Sequence, residues 1–289
     1  MHPDRVLILG SRGMLGRAWT GLLTAHGIPY DALSRDGLDL EDLDAVRSLD
    51  VASYSHLINC AAWTAVDDAE VGYDRAHAAN AEAVGVLAQR CANADTRFVT
   101  YSTDYVFNGT AESPYRLDHP RDPVNAYGRS KAAGEVLLEA LSGSGVPWLC
   151  IRTSWVYAPW GRNFVRTIAK AATTRPELRV VDDQRGRPTS AEGLARTSLA
   201  LLLADATGFA HATDGDECSW FEFACEIVRL VRTAGDAAAV LPCGSDEFPR
   251  PAPRPAYSVL DISRTEALIG PMTPWQVALA DVMRRLDPP

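Results

Sequence analysis

Four consecutive apolar residues, Val6-Leu7-Ile8-Leu9, run straight into Gly10-Ser11-Arg12-Gly13-Met14-Leu15-Gly16. No other stretch limits the possible folds as tightly. A short apolar run with no polar alternation predicts a strand buried on both faces, and such strands belong to parallel sheets with helices on either side. The spacing predicts a helix over about 15–26 directly after it. Between strand and helix the glycines divide the work. Gly10 permits the tight turn, Gly13 lets backbone approach a pyrophosphate, and Gly16 lets the helix pack close to the sheet. The helix N-terminus then faces the phosphates. Gly10, Arg12, Gly13, Met14 and Leu15 are therefore candidate dinucleotide contacts, against the plainer reading of a glycine-rich turn.

Residues 30–92 fit a nucleotide cleft. A second strand, about 30–33, should end beside the adenosine ribose, where an acidic residue selects NAD. Ser34 and Arg35 stand there instead, and a hydroxyl with a guanidinium suits a 2′-phosphate, so NADP is expected, with NAD still possible. Asp39 can receive the adenine amino group and Leu40 can pack on the ring, while Asp42 reads as a helix N-cap. The run 56–62 predicts a further buried strand whose small terminal residues, Ala61 and Ala62, let a ribose lie close. The loop after it, carrying Thr64 and Asp67, should face substrate. Asn80 is expected to begin a helix over 81–92 and to brace the catalytic strand.

Chemistry concentrates between Ser102 and Lys131. The β-branched and aromatic run Phe98-Val99-Thr100-Tyr101 predicts a strand ending near Ser102, which puts the Thr103 hydroxyl at a strand's carboxyl end. Tyr127 and Lys131 are four apart, so on a helix they share a face. A neighbouring ammonium is expected to draw the phenol's pKa down from its usual value near ~10, making Tyr127 a proton donor and acceptor. Thr103 would hydrogen-bond a substrate carbonyl oxygen. A Tyr-x-x-x-Lys pair is common on helices, so the case rests on its surroundings: hydroxyl, phenol, amine and a dinucleotide turn together describe a ketoreductase. Asn108-Gly109 predicts a turn, and the polar loop over 110–124 has the length of a substrate cover.

Farther along, a strand over 148–157 leaves the sheet at Thr153, and Trp155 is a candidate for stacking on a sugar or for plain packing. The segment 182–189 reads as an irregular polar loop. Ser190 predicts the N-cap of a helix reaching 204, and Ser219 with Glu222 matches a capping box. A break is expected at 142–145. The arginines of the Pro-rich stretch 249–255, Arg254 among them, are candidates for phosphate contact.

The 289 residues carry a net charge of −9, which argues against a nucleic-acid partner. Six cysteines without a C-x-x-C spacing are expected to be reduced packing residues, and no metal site is expected. The N-terminal apolar run is too short for a signal or a membrane span, so a cytoplasmic protein is expected. The fold expected is α/β: a Rossmann-type doubly wound parallel sheet formed by residues 1–154 with a return segment near 190–212. A smaller, discontinuous α/β substrate-binding domain is expected over about 155–189 and 213–289.

With these residues in view, the chain resembles the dTDP-4-dehydrorhamnose reductase family, a branch of the extended short-chain dehydrogenases. The similarity runs through the Gly10 to Gly16 turn, Ala61-Ala62-Trp63-Thr64-Ala65-Val66-Asp67, Ser102-Thr103-Asp104-Tyr105-Val106-Phe107, Tyr127 to Lys131, Asp183-Gln184 to Thr189, and Arg254-Pro255. The resemblance implies Thr103, Tyr127 and Lys131 as a catalytic triad that reduces the 4-keto group of a dTDP-linked deoxysugar with NAD(P)H. It further implies a sugar site near Thr64, Asp67, Asp104, Tyr105 and Trp155, and a monomer or homodimer. Two departures stand out. Leu117 replaces a glutamate common in relatives, and Arg17-Ala18-Trp19 stands where some relatives place a metal-binding glutamate. An epimerase or dehydratase of the same fold, and a non-catalytic NADP-binding regulatory subunit, remain open alternatives.

Overall fold

The computed structural model describes residues 4–141, 147–231 and 238–286, and the break expected at 142–145 lies outside them. The first half alternates strand and helix: β1 (Val6–Leu9), α1 (Met14–Ala25), β2 (Tyr30–Leu33), α2 (Leu43–Ser48), β3 (His56–Asn59), α3 (Tyr73–His77), α4 (Ala83–Asn93), β4 (Arg97–Thr103), α5 (Ala126–Ala140) and β5 (Trp148–Thr153). After it come β6 (Val156–Tyr157), α6 (Phe164–Thr174), β7 (Glu177–Val181), β8 (Arg185–Gly186), β9 (Thr189–Ser190), α7 (Ala191–Leu203) and β10 (Gly208–His211). The chain closes with β11 (Cys218–Ser219), α8 (Trp220–Val231), β12 (Ala239–Cys243), α9 (Ser263–Ile269) and α10 (Trp275–Arg284).

Six strands form one parallel sheet in the order β10-β5-β4-β3-β1-β2. The winding reverses between β1 and β3, and in doubly wound sheets ligands bind outside the carboxyl ends of the strands at that reversal. The glycine turn leaves β1 there. Alternate residues of β1 explain the two covered faces. Val6 and Ile8 pack with Trp19 and Leu23 of α1 and Leu194 and Leu201 of α7, while Leu7 and Leu9 pack with Val46, Leu87 and Leu138 of α2, α4 and α5. A third core joins Ile168, Val180, Phe223, Ile227, Trp275 and Leu279 in the C-terminal part. Three short ladders, β6 with β9, β7 with β12 and β8 with β11, stitch that part together, so the stretch over 182–189 is less irregular than its polar sequence suggests.

Local chemistry sets several helix starts. Ser190 accepts from Gly193 N at 3.2 Å, and Ser219 and Glu222 exchange hydrogen bonds at 3.1 and 2.7 Å in a complete capping box. Asn80 behaves otherwise. Helical turns already begin at Tyr73 and widen into a π-turn over Ala78–Glu82 that holds Asn80 in mid-helix, so it caps nothing. Its carboxamide instead clamps Trp63, accepting from Trp63 N at 2.9 Å and donating to Trp63 O at 3.0 Å. The loop over 110–124 is pinned to the C-terminal segment: Tyr115 N donates to Val259 O, Asp261 N donates to Tyr115 O, and Arg152 donates to Leu117 O.

Candidate active site

A cleft of about 690 Å³ opens where β1, β2, β3 and β4 end. Gly10, Arg12, Gly13, Met14, Leu15, Arg35, Asp39, Leu40, Ala61, Ala62, Tyr127 and Lys131 all line it. The glycine turn is packed to its limit. A Cβ on Gly10, whose φ is +76°, would stand 2.6 Å from Ala61 N, and one on Gly16 would stand 2.2 Å from Gly10 O. Gly13 is the N-cap of α1 and offers no side-chain acceptor, so the first-turn amides of α1 remain available to a ligand in the cleft. Buried hydroxyls on Ser102 and Thr153 also line the cleft, and both lack a hydrogen-bond partner among the described residues. A tight glycine cradle, uncapped helix amides and unpaired hydroxyls fit a dinucleotide with its pyrophosphate at α1.

Asn125 caps α5 by accepting from Gly128 N at 2.8 Å, which sets Tyr127 in the first turn and Lys131 one turn later. Lys131 is buried and donates from Nζ to the Tyr101 carbonyl at 3.0 Å. Burial lowers its pKa to about 8. The Tyr127 phenol faces the Thr103 hydroxyl, and here the expected electrostatics are corrected. Burial pushes the phenol well above its ordinary value, the Thr103 hydroxyl pulls it part of the way back, and the carboxylate of Asp104 raises it again. The Lys131 ammonium, engaged by the Tyr101 carbonyl, does not set that pKa. Asp104 is 2% exposed and accepts from Thr103 Oγ1 at 2.9 Å.

The remaining residues separate. Thr64 lines the cleft. Asp67 pairs with Arg254 at 2.9 Å and accepts from Ala252 N at 3.3 Å, while Asn125 Nδ2 donates to Pro253 O, so the Pro-rich segment is drawn across the start of α5. Arg254 is thereby held by a carboxylate. Tyr105 meets Tyr127 edge to face, with ring centroids 6.0 Å apart. Trp155 does not join them. It takes a left-handed backbone, φ +48°, and stacks on Trp220 at 3.6 Å between centroids, with Gly186 against its indole. One face of its indole is thereby taken up by internal packing. Arg17, in the departing stretch of α1, lies over the Trp160 ring, and Trp19 is buried with Nε1 donating to Tyr101 Oη at 2.7 Å.

Arg75 also lines the cleft, and sequence reasoning passed it over. It belongs to no motif and lies forty positions beyond Arg35, so only the packing of α3 brings the two together.

The family model described as "RmlD substrate binding domain" matches residues 4–287. A dTDP-4-dehydrorhamnose reductase of Streptomyces griseus is 42% identical over 96% of this chain and 92% of its own. A dTDP-4-keto-6-deoxy-D-glucose reductase of Streptomyces niveus is 38% identical over 98% of each chain. Among solved structures, dTDP-4-dehydrorhamnose reductase of Bacillus anthracis in complex with NADP superposes with a TM-score of 0.89 at 32% identity, covering 98% of this chain and 99% of that one.

Proposed function

This chain belongs to the family described as the RmlD substrate binding domain, and from that membership we propose an NADPH-dependent reductase acting on the 4-keto group of a dTDP-4-keto-6-deoxyhexose. The substrate favoured is dTDP-4-dehydrorhamnose, giving dTDP-L-rhamnose, with NADH as a second possible donor. The observation that carries this reading is the placing of Tyr127 and Lys131 in the same cleft as the glycine turn, with Thr103 facing the phenol.

When bound, NADPH supplies the hydride that reduces the carbonyl carbon. The protein's own residues manage the proton and the fit. Burial keeps Tyr127 protonated at neutral pH, so at the substrate oxygen it is the proton donor. Lys131 has three N–H donors and commits one to the Tyr101 carbonyl, which leaves two for ribose hydroxyls. Thr64 and the loop held by Asp67 and Arg254 are read as the sugar side, with Tyr105 and Asp104 closing the wall beside Tyr127. We assign residues 1–154 and about 190–212 to cofactor binding and the remainder to substrate binding. Every residue invoked comes from one chain, so a monomer or homodimer would carry complete sites. Six free thiols support a reducing, cytoplasmic setting.

The test is to mix purified protein with NADPH and dTDP-4-dehydrorhamnose and follow the reduced nicotinamide absorbance. Loss of absorbance matched mole for mole by dTDP-rhamnose is expected. Turnover with the cofactor retained would assign an epimerase or dehydratase instead, and tight NADP binding without any keto-sugar reduction would assign a regulatory subunit.

A further inference from the structure

Three guanidiniums gather where the cleft passes the end of β2, and they come from three separate elements. Arg12 lies in the glycine turn, Arg35 comes just after β2, and Arg75 projects from α3. Arg12 pairs with Asp36. Arg35 and Arg75 share one partner: Glu41 accepts from Arg75 Nε at 2.6 Å and Nη2 at 3.2 Å, and from Arg35 Nη2 at 3.1 Å. Asp39 stands 3.7 Å from Arg35 Nε. The Glu41 side chain is 18% exposed and so is a fixed post, whereas both arginine side chains remain 64% exposed. The Arg75 guanidinium also lies over the Trp63 ring, 5.0 Å from its centroid, and Trp63 lines the cleft.

A shared carboxylate draws two like charges closer together than their repulsion would otherwise leave them. Each guanidinium keeps Nη1 without a partner among the described residues. A phosphate monoester offers the charge and the several acceptor oxygens to bridge two such forks, and a ribose hydroxyl offers neither. Resting on the cofactor reading above, we propose that Arg75, held beside Arg35 by their shared Glu41, is a second ligand of the 2′-phosphate and sets the preference for NADPH over NADH.

Fluorescence titration of NADPH and NADH into wild-type protein, Arg75→Ala and Arg75→Lys measures this without turnover. Arg75→Ala should weaken NADPH about tenfold, the size of one lost charge-assisted contact, and leave NADH within about twofold. Arg75→Lys should fall between, because an ammonium keeps the charge and loses the fork. The unchanged NADH affinity also reports that the variants are folded. Equal weakening of both dinucleotides, no weakening of either, or a wild-type preference for NADH overturns the clamp while leaving the reductase reading intact. Wild-type protein that binds neither dinucleotide overturns the cofactor reading and the clamp with it.

Discussion

Thr103 Oγ1 carries one proton and two lone pairs, and the fold assigns nearly all of them. The proton goes to Asp104 at 2.9 Å, one lone pair accepts Tyr105 N at 3.2 Å, and the Tyr127 phenol faces what remains. While Asp104 is ionised, its carboxylate competes with a substrate carbonyl for the Thr103 proton. Burial raises Asp104 to about 6, against hydrogen bonds from Ser258 and Thr103 that lower it. Turnover should accordingly fall as pH rises through about 6, because ionised Asp104 holds the Thr103 proton. Asp104→Asn cannot ionise, so it should lose that step and keep kcat at about pH 8 close to its value at about pH 5, measured with saturating NADPH. An unaltered pH profile would detach Asp104 from catalysis. Tyr127→Phe should lower kcat at least ~100-fold and leave the NADPH Kd within about twofold. Equal losses in both would mean that the phenol binds the cofactor and donates no proton. The phenol, amine and hydroxyl were legible from their spacing. The hold of Asp104 was not, since it depends on the 3₁₀ turn after β4 over Asp104–Val106.

Among the elements, α5 owes its place to contacts that no local pattern announces. A Cβ on Gly134 would stand 2.3 Å from Asn80 O, so α5 can approach the π-turn only because that residue is glycine. Across this contact Asn80 Nδ2 donates to Ser130 Oγ at 2.9 Å while the same carboxamide holds Trp63. Asn80→Ala leaves part-buried backbone groups of Trp63 without their partner and should lower unfolding free energy by about 1 kcal/mol in urea titration. Because Trp63 lines the cleft, the NADPH Kd should rise as well. A loss of stability with unchanged affinity would confine Asn80 to the helix contact. The caps at Asp42, Ser190 and Ser219 could be read in advance because donor and acceptor lie within three residues. Asn80 could not, with partners 17 and 50 residues away. The stack of Trp155 on Trp220 was hidden for the same reason, since Trp220 lies far down the chain.

Across the whole molecule, the parallel sheet was legible from β1 alone, but the tie between the start of α7 and the link after β10 was not. Asp214, in the link between β10 and β11, makes that tie. It is 5% exposed, accepts from Ser190 N at 2.7 Å, and lies 3.3 Å from Ser190 Oγ at the start of α7. Burial raises its pKa to about 7 from an ordinary value of 3.8, although the Ser190 hydrogen bonds and Arg196 act to lower it. A carboxyl raised on folding means that the folded state holds more protons than the unfolded chain between those two values. Its contribution to stability is therefore full below the unfolded pKa, declines as pH climbs through the window, and is gone above about 7. Asp214→Asn keeps an acceptor for Ser190 N and removes the titration. Relative to wild type, the variant should gain on the order of 1 kcal/mol or more on moving from about pH 5 to pH 8, read as the difference in urea midpoints. A difference that stays constant over that range would mean that Asp214 keeps the same charge in the folded and unfolded chain, and that the junction is held by hydrogen-bond geometry alone.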